Sequence, residues 1–207
     1  MAARLAFITG LLGPLIILML TVLGGATFPN YSHRSQFISE LGAREAPHMD
    51  LINYGGFLPA GILVCAFAFF ASRVLPRSAT TLLGLVGIAC YALSYVVAAF
   101  LPCDPGCRPV EPSLSQWIHN LVGGTSYFVG AACLIVLGVG ARHWPDARHL
   151  SVLGLICGSV SLVAFLLLSP AFLYVGIVQR VLETCMLLWI VACAFYLKRR
   201  SPRGSDT

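Results

Sequence analysis

Six apolar segments, each long enough to cross a membrane, dominate this chain of 207 residues. They cover approximately residues 5–28, 51–72, 80–101, 118–141, 150–170 and 173–197. A transmembrane helix needs about 20 apolar residues. A water-soluble domain of this length could not bury a composition that is 58% hydrophobic and only 10% charged. The sequence therefore predicts an all-α polytopic membrane protein, in which residues 1–207 form a single domain, a six-transmembrane-helix bundle.

The basic residues predict how this bundle is oriented. If both termini are cytoplasmic, the inner side holds nine of the 13 Lys and Arg residues. These nine are Arg4, Arg73, Arg77, Arg142, Arg148, Lys198, Arg199, Arg200 and Arg203. The outer side holds Arg34, Arg44 and Arg108. Cytoplasmic loops carry the excess of basic residues, so we expect both termini inside. The net charge of +5 is then a topology signal, and no nucleic-acid partner is expected.

Both long loops fall on the predicted outer side, at about residues 29–50 and 102–117. In the first of them, Phe37, Ile38 and Leu41 share one face at helical spacing, and Gly42 is a plausible end for a short helix. We expect this segment either to lie along the membrane interface or to fold into the mouth of the bundle.

Polar side chains within the six segments gather toward the same outer side. Those expected in the outer halves are Asn53, Tyr54, Ser94, Tyr95, His119, Asn120, Thr125, Ser126, Tyr174, Gln179, Arg180 and Glu183. The inner halves are nearly bare, and residues 61–71 and 129–141 hold no polar side chain beyond cysteine. A solute path would need polar groups along its whole depth. The pattern instead predicts an outward-facing polar pocket that is closed below.

Arg180 and Glu183 are the charges that lie within the last segment. A charge near the bilayer centre costs roughly 2.5–3.5 kcal/mol on insertion scales, so such groups usually face the bundle interior and mark a site. At a spacing of three residues the two side chains can contact each other. One hypothesis is a self-neutralised structural pair. The other is that Arg180 holds an anionic group, such as a lipid phosphate or carboxylate, while Glu183 orients it or accepts a proton.

Other candidates sit at the predicted mouth of the bundle. His119 begins the fourth segment, and an acid/base or ligand-binding role competes there with that of an ordinary interfacial histidine. Two interpretations likewise compete for Asp104 and for Glu40, namely that the residue stabilises a turn or that it takes part in function. Asp104, His119, Arg180 and Glu183 are expected at one depth. No C-x-x-C or H-E-x-x-H pattern is present, so neither a metal site nor a cofactor is expected.

Cys103 and Cys107 flank Asp104, Pro105 and Gly106 in the second outer loop. On an oxidising side of the membrane they could form a disulfide that holds Asp104 at the helix mouth, although spacing alone does not decide this. The other six cysteines lie within apolar segments and are expected to be small apolar fillers.

Four short motifs together resemble bacterial membrane proteins of domain-of-unknown-function family 998 (DUF998). They are YSHRSQFISELGA after the first segment, LPCDP after the third, a histidine at the start of the fourth, and GIVQR in the sixth. The resemblance implies an integral protein of the bacterial inner membrane with about six helices and no established activity. The positions it carries over are Ser39, Glu40, Gly42, Asp104, His119, Gln179 and Arg180.

The leading hypothesis is a pocket that recognises a membrane lipid or another small amphiphile. An enzyme version, an intramembrane lipid hydrolase or isomerase, would use His119 or Glu183 as the base, Asp104 to orient it and Arg180 to hold charge. A proton-coupled carrier would titrate Glu183, and a scaffold would dock a partner protein on the outer loops. The sequence predicts no oligomeric state and does not decide whether the protein is an enzyme.

Overall fold

The computed structural model describes residues 1–200, in which six long helices and no strand are present. The helices are α1 (Ala2–Thr27), α2 (Met49–Ser72), α3 (Ala79–Phe100), α4 (Leu114–Ala141), α5 (Arg148–Leu166) and α6 (Val175–Arg199). Each is long and apolar enough to cross a membrane. The predicted all-α membrane class is thereby confirmed. Arg203, which the orientation argument counted on the inner side, lies outside the described residues.

Two helix boundaries differ from the prediction for identifiable reasons. α4 begins at Leu114 rather than near residue 118, because the Ser113 hydroxyl accepts the Gln116 backbone N–H and caps the helix. The predicted bounds of the fifth and sixth segments leave only residues 171–172 between them, but the connection is residues 167–174. Proline cannot continue a helix and disfavours helical geometry in the residue before it, so α5 ends at Leu166.

The helices form a closed ring in chain order. Each packs on the next, α6 packs against α1 to close the ring, and α4 also contacts α6 across it. Phe67, Ile88, Leu134 and Trp189 are buried inside the ring. Large apolar side chains on the outside remain exposed, as expected for a surface that lipid covers.

Three connections meet at one end of the bundle, which we call the long-loop end: residues 28–48, 101–113 and 167–174. The Arg44 N–H donates to the Cys103 carbonyl at 2.9 Å, and the Ile177 N–H donates to the Arg34 carbonyl at 3.2 Å. The first loop is therefore tied both to the second loop and to the start of α6.

The first loop folds into the mouth of the bundle, which was one of the two expected arrangements. Its 3-10 helix, Ile38–Gly42, buries Ile38 and Leu41. Gly42 ends this helix, and a Cβ atom there would lie 2.3 Å from Asn53 Oδ1. Asn53 begins a single π-helical turn within α2 and donates from Nδ2 to the Gly42 carbonyl at 2.8 Å. The glycine is needed because the loop backbone packs directly on α2.

Candidate functional site

Glu183 lies at the centre of a cluster of phenols inside the bundle. It projects from α6 and is 6% exposed. Tyr91 and Tyr95, one turn apart on α3, both donate to Glu183 Oε2, and Tyr127 of α4 donates to Oε1. The Tyr91 and Tyr95 hydroxyls are also 2.6 Å apart. Three helices are thus joined at one carboxyl group.

An ionised carboxyl group is a pure acceptor, and three O–H donors suit that form. Hydrogen bonds to an ionised partner are roughly twice as strong as neutral ones. The phenols therefore stabilise a carboxylate that would otherwise be costly in this position. The cluster gives Glu183 a complete set of partners without any cation in contact with it.

Arg180 does not contact Glu183, so the hypothesis of a self-neutralised pair is wrong. Within residues 1–200, Arg180 takes part in no salt bridge. It donates instead to the Gln36 carbonyl at 3.0 Å, the Tyr31 hydroxyl at 2.8 Å and His33 Nδ1 at 2.9 Å, all in the first loop. Its fourth acceptor is the Gly176 carbonyl, at 2.9 Å on α6 itself. Arg180 thus attaches the first loop to α6.

The groups around Arg180 are held in forms that accept its hydrogen bonds. Burial and the nearby positive charge of Arg180 lower the pKa of His33, which keeps its ring neutral and Nδ1 free to accept. Burial raises the pKa of Tyr31, with Arg180 opposing the shift, so this phenol stays protonated. The Tyr31 hydroxyl itself donates a hydrogen bond to the Phe37 carbonyl at 2.7 Å.

Gln179 connects the first loop to the carboxylate cluster. Its Oε1 accepts the Ile38 backbone N–H, and its Nε2 donates to the Tyr127 hydroxyl at 3.0 Å. Gly176, one turn earlier, leaves room for this approach, since a Cβ atom there would lie 2.5 Å from the Gln36 carbonyl oxygen. The GIVQR motif thus supplies the close approach, the bridge and the loop anchor.

Two neighbouring cavities lie beside the cluster. The inner cavity, about 60 Å³ in volume, reaches Glu183, and its polar lining includes Ser94, Tyr95, His119, Ser126, Tyr127 and Gln179. The outer cavity, about 240 Å³, lies between α4 and the 167–174 connection. Ser39, His119, Gly123, Tyr127 and Gln179 line both cavities. Both cavities therefore lie at the long-loop end of the bundle.

His119 stands where the two cavities meet, and its hydrogen bonding fixes its orientation. Its Nδ1 lies 3.0 Å from the Leu101 carbonyl oxygen. A carbonyl can only accept, so Nδ1 carries the proton of the neutral ring and Nε2 is left as an acceptor. The expectation that Asp104 orients this histidine is wrong, because the Leu101 carbonyl takes that position.

Asp104 organises the second loop instead. It accepts from the Ser113 N–H at 2.8 Å and the Ser113 hydroxyl at 2.7 Å, and Arg44 Nη1 lies 3.7 Å away. These bonds lower the pKa of Asp104. Cys103 and Cys107 form a disulfide around this turn. The carboxylate therefore holds the loop at the start of α4.

Glu40 likewise stabilises its own segment. It accepts the Phe37 N–H at 2.9 Å and the Gln36 side-chain amide at 2.8 Å, and Arg108 Nη2 lies 3.8 Å away. Ser39 next to it lines both cavities. Of the ligand-binding candidates, Ser39, His119, Gln179 and Glu183 meet at the inner cavity, whereas Arg180, Asp104 and Glu40 are engaged elsewhere.

Four residues of these networks were not predicted from the sequence as site residues: Tyr91, Tyr127, Tyr31 and His33. The separation of Tyr91 from Tyr95 by one helical turn was readable in the sequence. The metal expectation remains a prediction, and in the part of the chain that the structure describes no group of three or more His, Cys, Asp or Glu side chains could hold a metal ion.

A comparison of the sequence with protein families finds one matching family. The family described as "Protein of unknown function (DUF998)" matches residues 11–196, which is most of the chain. No curated protein and no solved structure matches the chain.

Replacing Arg180 with alanine should destabilise the protein. The change leaves four acceptors of the first loop and α6 without their donor, and we expect a loss of about 2–4 kcal/mol. Arg180→Lys keeps the charge but not the planar set of donors, so it should recover only part of the loss. Thermal unfolding in detergent measures both. Unfolding temperatures equal to that of the native protein would show that Arg180 does not hold the loop.

A double-mutant cycle should detect the carboxylate cluster directly. Tyr127→Phe and Glu183→Gln should couple by about 1–3 kcal/mol, since each change removes the charge-assisted strength of the same hydrogen bond and that strength is lost only once. Tyr54 of α2 is half exposed, so Tyr54→Phe with Glu183→Gln is the matched control and should be additive. Equal coupling in the two cycles would contradict the cluster.

Proposed function

Since this chain belongs to the DUF998 family, whose description names no activity, we propose a function from the site itself: the protein binds a small amphiphile at the long-loop end. The polar part of the ligand occupies the inner cavity beside Glu183 and His119, and its apolar part occupies the outer cavity. The observation that carries the proposal is the pair of cavities that meet at His119, Gly123 and Tyr127.

The lining predicts a ligand that donates hydrogen bonds. His119 offers Nε2 as an acceptor, and Glu183 makes the inner end negative. Ser94 and Ser126 already donate their hydroxyl protons to the Tyr91 and Gly123 carbonyls, at 2.7 and 2.8 Å, and so offer lone pairs. Among the described residues no Lys or Arg lines this cavity. A hydroxyl, amine or amide head group fits this set better than an anion does.

The sizes of the cavities set how the ligand lies. The inner cavity of about 60 Å³ has room for a few water molecules or one small polar group. The outer cavity is larger, and Phe37, Leu168 and Pro170 contribute apolar surface to it. Pockets of this kind recognise ligands through a few polar groups within a mostly apolar wall. An amphiphile with a compact head satisfies both requirements.

Binding is favoured over the hydrolase or isomerase alternative by the serine geometry. A serine nucleophile needs an adjacent general base, but the Ser94 and Ser126 hydroxyls donate to backbone carbonyls. His119 hydrogen-bonds a backbone carbonyl rather than a carboxylate. The alternative of a partner-binding scaffold is supported by Arg180, which anchors the first loop to α6. The alternative of a proton-coupled carrier would require the bundle to open at the end opposite the long loops.

We further propose that the long-loop end faces outward across a bacterial plasma membrane. Arg73, Arg77, Arg142 and Arg148 lie at or beside the short connections 73–78 and 142–147 at the opposite end. Basic residues in short loops mark the cytoplasmic side. The ligand would then enter from the outer leaflet or the extracytoplasmic space.

Gly123 allows a direct test of the binding proposal. A Cβ atom at Gly123 would meet nothing within 4 Å, so Gly123→Leu fills the meeting point of the two cavities without a backbone clash. We expect mass spectrometry of the purified native protein to detect a bound amphiphile, and we expect Gly123→Leu to lose it.

Thr125→Leu is the matched control, because Thr125 is exposed on the same helix and lines neither cavity. It should keep the amphiphile. Equal amphiphile content in all three proteins would refute the proposal, provided that their unfolding temperatures agree.

A further inference from the structure

A groove between α1 and α6 lies behind the carboxylate cluster. It has a volume of about 330 Å³, and its lining includes Ile17, Leu18, Thr21, Val22, His33 and Arg180. Glu183 and Ile38 separate it from the inner cavity, since both line the two spaces. The carboxylate oxygens of Glu183 are taken up by phenols from α3 and α4. The groove is thus a distinct space on the other side of α6.

Two of its lining residues carry buried polar atoms with no partner. In the described part of the chain four buried side-chain nitrogen or oxygen atoms have no hydrogen-bond partner, and Thr21 Oγ1 and Arg180 Nε are two of them. Buried polar groups are normally paired, so each exception needs an explanation. Both atoms can donate a hydrogen bond. Unused donors on two facing helices indicate a missing acceptor.

The charge in the groove favours an anionic acceptor. Arg180 keeps a full positive charge, yet every group it contacts is neutral. His33, which also lines the groove, is kept neutral because its pKa is lowered. Guanidinium groups bind phosphate and carboxylate oxygens especially well. Glu183 also lines the groove, but its oxygens accept from the phenols of α3 and α4. In the described chain, residues 1–200, no carboxylate therefore contacts Arg180, and an anion in the groove would supply the missing opposite charge.

The depth and the apolar walls of the groove indicate which kind of molecule the anionic group belongs to. Thr21 lies about 9 Å and Arg180 about 8 Å along the axis from the long-loop ends of their helices, near the level of lipid head groups. Leu18 and Val22 are 57% and 50% exposed on the outer surface of α1. The groove is therefore open to the acyl chains of the bilayer, and an anion that fits it would carry an apolar part.

We propose that the α1–α6 groove binds an anionic phospholipid, with a phosphate oxygen accepting from Arg180 and Thr21 and an acyl chain lying along Leu18 and Val22. This site is separate from the amphiphile-binding cavities and takes a ligand of opposite hydrogen-bonding character. It does not depend on the proposed function.

Lipid exchange in nanodiscs tests the site. The native protein is placed in nanodiscs that contain phosphatidylcholine and phosphatidylglycerol. It is then released from them, and native mass spectrometry measures which lipid stays bound. We expect the native protein to retain phosphatidylglycerol in preference to phosphatidylcholine. Leu18→Trp fills the groove and should lower this retention roughly tenfold, and Thr21→Val, which removes the unpaired hydroxyl, should lower it severalfold.

Leu23→Trp is the matched control, because Leu23 is also about half exposed on α1, at 54%, but does not line the groove. It should retain phosphatidylglycerol as the native protein does. Equal retention of the two lipids by the native protein, or equal losses in Leu18→Trp and Leu23→Trp, would overturn the proposal. So would inorganic phosphate that binds the lipid-free protein as tightly as phosphatidylglycerol does, since the occupant would then be a free anion.

Discussion

The need to satisfy one carboxylate inside a membrane-spanning bundle governs the arrangement of three helices. Glu183 cannot be solvated by lipid, and it receives its hydrogen bonds from Tyr91, Tyr95 and Tyr127. These donors fix α3 and α4 relative to α6, and the space left beside them is the inner cavity. The polar character of that cavity follows from the same side chains that hold the bundle together, because Tyr95, Tyr127 and Glu183 also line it.

Arg180 serves a different region although it is three residues from Glu183. It projects toward the first loop, where neutral acceptors and a neutral His33 receive its hydrogen bonds. Gln179 lies between the two systems and links the Ile38 backbone to Tyr127. A movement of the first loop would therefore displace the carboxylate cluster through the Gln179 side chain. This link joins the first loop to the carboxylate cluster.

The helices were predictable because an apolar run of about 20 residues has few other possible structures in a lipid bilayer. The site was predictable only in part. His119, Gln179 and Glu183 were identified from depth, since polar residues at one level of a bundle tend to meet, whereas Ser39 was identified only from the family resemblance. Neither depth nor helical spacing fixes the partner of a side chain, however. The pairing of Arg180 with Glu183 and the orienting role of Asp104 on His119 are therefore both wrong. Tyrosines were missed because a phenol fits an apolar segment, and its hydroxyl partner becomes known only once the helices are packed.

Three phenols rather than Arg180 hold Glu183, and their hydrogen bonds favour its ionised form. Infrared difference spectroscopy between the native protein and Glu183→Gln reads this state directly, because ionised and protonated carboxyl groups absorb at different frequencies. We expect the native protein to have a carboxylate band near neutral pH that the variant lacks. A protonated carboxylic acid band that disappears in Glu183→Gln, with no change among the carboxylate bands, would contradict it.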